Sequence, residues 1–84
     1  MALTTEQCEL LGAILDADAE PPDRTTEALA VRVDLPPKRV ASRLEELQAR
    51  SPSLVRRVLD EDWQVHAWVP TDAARAAYDA SCGT

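Results

Sequence analysis

The apolar residues of this chain change their spacing once, and that change limits what the chain can become. Up to residue 50 they recur every three or four positions, and from Leu54 onward they alternate with polar ones. The first rhythm belongs to helices with one buried stripe, the second to strands with one buried face. Proline pairs at Pro21-Pro22 and Pro36-Pro37 divide the helical part into three, because proline cannot continue a helix and biases its predecessor towards extended geometry. A chain of 84 residues in this order is expected to form a single domain, residues 1–84, of a mainly helical α+β class.

Thr4-Thr5-Glu6-Gln7 opens the first helix, expected over about residues 5–19. Thr4 and Gln7 have capping-box spacing, and Leu3 and Cys8 stand where a hydrophobic staple would form. Leu3, Leu10, Leu11, Ile14 and Leu15 make its apolar stripe. Thr25 or Thr26 caps a short second helix with Leu29, Ala30 and Val33 on its apolar face. Pro37 suits the first turn of a third helix, expected from Pro37 to Arg50 with Val40, Leu44 and Leu47 inward. Leu54–Leu59 and Trp63–Val69 then read as strands joined by Asp60-Glu61-Asp62, a hairpin signal. On the second strand Trp63, Val65, Ala67 and Val69 share the face expected to join the core. Trp68 falls on the outer face, to be covered by the last helix or a second subunit. Thr71 is the expected cap of a short alanine-rich helix ending near Ser81.

Composition agrees with helices and a modest aliphatic core: fourteen alanines, two glycines, no phenylalanine. No apolar run approaches the roughly 20 residues of a membrane span, so no membrane partner is expected. The first residues lack the positive start and apolar stretch of a secretion signal. A cytoplasmic protein is therefore expected, with Cys8 and Cys82 as free thiols. There is no Gly-x-Ser-x-Gly elbow, and Gly12 and Gly83 alone make no phosphate-cradling loop. Cys8, His66 and Cys82 have no paired spacing, and Glu45 and Glu46 read as solvated. No enzyme, cofactor or metal site is expected.

Net charge is −6, yet the charge is unevenly spread. Residues 24–57 hold eight of the nine basic side chains and only four acids. That basic middle contains two helices joined by a tight turn, a helix-turn-helix arrangement. With Val40, Leu44 and Leu47 turned inward, Lys38, Arg39, Ser42 and Arg43 are expected on the opposite side, near the start of the third helix. Arginine can hydrogen-bond guanine O6 and N7 together, and lysine and serine can reach phosphate or base edges. Thr25 and Thr26, at the second helix start, are candidate phosphate contacts. Arg56 and Arg57 alternate on a strand, so only one of them can face the DNA side, the alternative being simple solvation.

From about Thr25 to Tyr78 the sequence resembles the winged helix-turn-helix of the MarR family. The residues that carry the resemblance are the stretch from Thr26 to Leu47, then Leu54-Val55-Arg56-Arg57, the acidic turn Asp60-Glu61-Asp62, and Val69-Pro70-Thr71 before a last helix. The resemblance implies sequence-specific binding of double-stranded DNA in transcriptional regulation, by a homodimer. The pairing surfaces would be the first helix and the tail with Tyr78. Three features depart from the family pattern. Asp34 stands where the turn usually has glycine, Trp63-Gln64 follows the acidic turn where an arginine is usual, and the flanking helices are short. An acidic wing tip is repelled by phosphates, so the wing is expected not to read bases. The competing reading is a winged-helix protein-protein interaction module, or an acidic regulator of another DNA-binding protein.

Overall fold

A computed structural model describes residues 2–16, 18–62 and 64–83. The order is α1 (Thr5–Ile14), a 3-10 helix (Pro21–Arg24), α2 (Thr26–Val33), α3 (Pro37–Ala49), β1 (Val55–Asp60), β2 (Val65–Pro70) and α4 (Ala74–Ser81). Two strands pair antiparallel, with Val55 opposite Pro70, Arg57 opposite Trp68 and Asp60 opposite Val65. No helix among these residues is long and apolar enough to cross a membrane.

Each helix end has a local cause. The Thr4 hydroxyl accepts the Gln7 N–H at 3.2 Å, and the Thr4 N–H donates to Gln7 Oε1 at 2.9 Å, completing the capping box. α1 stops at Ile14, five residues short of the expected end. There the Asp16 carboxylate accepts the Asp18 N–H at 3.0 Å, a local bond that competes with the helical ladder. Pro21 and Pro22 do more than break a helix: they open the 3-10 helix, which Asp23 closes by accepting the Glu20 N–H. Thr25 caps α2 by accepting the Ala28 N–H at 3.2 Å. α2 ends on Asp34 at φ 58°, ψ 50°, with the Leu35 N–H returning to the Ala30 carbonyl at 3.0 Å. This is the left-handed terminus that glycine usually supplies; aspartate is among the few residues that adopt it.

The core draws on every helix. Leu10, Leu11 and Ile14 of α1, Leu29 and Ala30 of α2, and Val40, Leu44 and Leu47 of α3 are buried together with Leu54, Val55, Trp68 and Ala74. Full burial of a leucine side chain contributes about 1.5–3 kcal/mol. The hairpin is rooted on α3 through the Leu54 N–H, which donates to the Leu47 carbonyl at 3.1 Å. Thr71 belongs to this root, and it bonds to α4 through its carbonyl, which accepts the Ala74 N–H at 3.0 Å. Its N–H donates to the Leu54 carbonyl, its hydroxyl to the Ser53 carbonyl, and the N-cap of α4 is Ala73 with no side-chain bond.

Two further expectations are corrected. Cys8 and Cys82 are joined in a disulfide, with Cα atoms 5.6 Å apart, so they are not free thiols. α4 returns along α1, setting the Tyr78 ring against Gly12, where an added Cβ would lie 3.0 Å from the phenol oxygen. That return brings the two cysteines together. Trp68, expected on the outer face, is buried; on the face expected to join the core Ala67 is buried, while Val65 and Val69 are only half-buried. α2 and the 3-10 helix contribute to the cover of Trp68: β2 packs alongside the 3-10 helix, and the indole N–H donates to the Thr26 hydroxyl at 3.1 Å. Trp63, expected in the core, lies outside the described residues.

Candidate nucleic-acid interface

α3 presents its surface by the rule that buries its core. With Val40, Leu44 and Leu47 fully enclosed, the helical period puts Lys38 and Ser42 on the far side, and both are exposed. Arg39 and Arg43 are not on that far side; they occupy the flank towards α1. Arg39, its side chain 55% exposed, has Nε 3.5 Å from Glu6 Oε1. Arg43, 29% exposed, has Nε 3.6 Å from the same oxygen, and its Nη1 donates to both Glu46 oxygens at 2.8 Å. Glu46 Oε1 also accepts the Gln7 side-chain N–H at 3.0 Å, and Gln7 is buried. Glu46, exposed like Glu45 as expected, is in addition a partner of two residues. The spacing of Arg43 and Glu46 was a readable signal for a helical ion pair. Nothing in the sequence signalled Glu6.

At the α2 start the two threonines divide their work. The Thr25 hydroxyl accepts from Ala28 and donates to the Pro22 carbonyl at 3.2 Å, so its proton is already used. The Thr26 hydroxyl accepts from Trp68, and a hydroxyl so engaged still has its own proton to donate.

The strands separate the two adjacent arginines. Arg57, opposite Trp68, lies on the same face as that residue, and its guanidinium carbon is 6.0 Å from the Trp68 ring centre, a cation–π distance. Arg56, opposite Val69, lies on the other face near Thr71 and Asp72. At the tip Glu61, Asp62 and Gln64 are exposed, with Gln64 in the left-handed region at φ 56°. No cation stands among the described tip residues.

Part of the basic middle is structural. Arg24 donates to the Asp16 carbonyl at 2.8 Å, and Arg32 pairs with the Asp16 carboxylate at 3.0 Å. The Asp18 N–H first, and Arg32 second, hold the Asp16 carboxyl below its ordinary value. Arg24, Arg32 and Arg43 thus serve acceptors inside the molecule. Lys38, Arg39, Ser42, Arg57 and Thr26 remain turned to solvent or able to donate.

The crystal structure of an S. aureus MepR–DNA complex contains a chain that matches this one with a TM-score of 0.77 at 19% identity, over 94% of this chain and 54% of that one. The chain thus spans about half the length of the MepR chain. No protein-family model matches the sequence, and no curated protein matches it significantly. MepR is a MarR-family winged-helix regulator. Four helices and an antiparallel hairpin in this order give the chain a MarR-like winged helix-turn-helix fold.

Proposed function

We propose that the chain binds double-stranded DNA sequence-specifically through α3, as a transcriptional regulator. The observation that carries this reading is the exposed first half of α3. Lys38, Arg39 and Ser42 stand clear of the core there, in a fold that MepR presents in a complex with DNA. Lys38, a compact charge, suits phosphate; Arg39, a planar fork, suits a guanine edge. Arg57, braced on Trp68, supplies a second cation from the hairpin. The chain acts as a homodimer, so that two α3 helices meet successive major grooves about one turn apart.

Selection of duplexes from a random-sequence pool tests the reading. Affinity should fall with salt, and Lys38→Ala should weaken binding to all sequences while reducing the magnitude of the salt slope by about one. Failure to retain any duplex at low salt overturns it. A protein-interaction module, or an acidic regulator of another DNA-binding protein, is the second reading. It is favoured by the net charge of −6 and by Val31 on α2, a large apolar side chain left 83% exposed.

A further inference from the structure

We propose that Glu6, in the first turn of α1, is a positioning residue for DNA recognition: it forms an ion pair with Arg39 on the Nε side and so biases where the end of its guanidinium points, while Arg43 serves as a strut. The proposal rests on the DNA-binding reading above and deepens it.

The two arginines look alike in the sequence and differ in the structure. Arg43 is bonded through Nη1 to both oxygens of Glu46, while its buried Nε, 3.6 Å from Glu6, makes no hydrogen bond. Arg39 pairs with Glu6, Nε lying 3.5 Å from Oε1. Its two terminal nitrogens have no partner among the described residues, and its side chain is 55% exposed. Those terminal nitrogens form one edge of the fork that pairs with guanine O6 and N7. An unrestrained arginine must give up much rotamer freedom to make that contact. An arginine already held at Nε has less to give up.

Glu6 is itself well placed to hold. It stands in the first turn of a helix whose cap is complete, where the helix dipole favours a carboxylate. The next residue, Gln7, is buried and bonded to Glu46 of α3, which fixes the start of α1 over α3.

Glu6 has two opposed effects on DNA, and they can be measured apart. Its negative charge repels phosphates and weakens every duplex alike. Its grip on Arg39 favours only the duplex with the right base in place. In the Glu6→Gln variant affinity should therefore rise for a shuffled duplex. The ratio of affinities for the selected duplex over the shuffled one should fall, roughly three- to tenfold, a part of what a whole bidentate contact contributes. Arg39→Ala should lower the ratio at least as far, and Glu6→Gln added to Arg39→Ala should lower it no further, because both remove one interaction. A role confined to stability would shift the unfolding midpoint and leave the ratio alone; a role confined to charge would raise both affinities together. Either result overturns the proposal, as does a full further loss of ratio in the Arg39→Ala background. If wild-type protein binds no duplex, the DNA-binding reading itself falls, and this role with it.

Discussion

Asp16 accepts the Asp18 N–H and the Arg32 guanidinium at 3.0 Å each, while Arg24 donates to its carbonyl. One side chain thereby ends α1 and ties the following turn to α2. Because these partners favour its charged form, its pKa in the folded chain is depressed. The unfolded chain then binds the proton more readily, so the stabilisation is complete above the ordinary carboxylate value of 3.8 and is lost as the pH falls through the lower folded value. Asp16→Asn keeps an acceptor for Asp18 but removes the charge. The variant should be less stable than wild type in urea at pH 7, and the gap should shrink as the pH falls below 3.8. A gap that stayed constant across that range would show the charge to be idle. Asp34 shows the same reach of a single residue: it takes the left-handed turn between α2 and α3 that glycine usually supplies.

Between elements, one contact that sets the wing against the helix-turn-helix is the bond from Trp68 to Thr26. Thr26→Val would leave a buried indole N–H without an acceptor, at a cost of about 1–3 kcal/mol. Trp68→Phe removes the donor and part of the ring area. The double variant should lose less than the two single losses added, since each single change removes the same bond. Additive losses in urea midpoints would show that the bond couples nothing. The hairpin itself was legible from the alternation after Leu54, and so was the burial of Ala67, but the burial of Trp68 on the opposite face was not. Val65, Ala67 and Val69 offered an apolar face as good as the one bearing Trp68. The burial of Trp68 was decided by the docking of β2 beside the 3-10 helix, where the indole N–H finds an acceptor.

Across the whole molecule the disulfide joins the first helix to the last, closing a sequence separation of 74. For a loop of that length the chain-entropy model assigns about 4 kcal/mol, an amount comparable to the whole stability of a small domain. Reductant should lower the unfolding midpoint of wild type to that of Cys8→Ser/Cys82→Ser and leave the double variant unchanged. A wild-type midpoint indifferent to reductant would mean that the crosslink does not hold α4 on α1. The expectation of free thiols came from the expected compartment, and nothing in the separation of the two cysteines argued for contact.

What the sequence determined by itself is what repeats along it. The stripe Val40, Leu44 and Leu47, the box of Thr4 and Gln7, the proline at the start of α3 and the alternation after Leu54 are local patterns. A period of 3.6 or 2 follows from backbone dihedrals, and a cap needs only residues within one turn. The tertiary structure decided the rest: that Cys8 meets Cys82, that Trp68 reaches Thr26, that Glu6 meets Arg39 and Arg43. These pairs stand far apart in sequence, and no local pattern links their members. Their meeting depends on how α1, α3, α4 and the hairpin dock on one shared core, and a docking geometry is a property of all the packed surfaces at once.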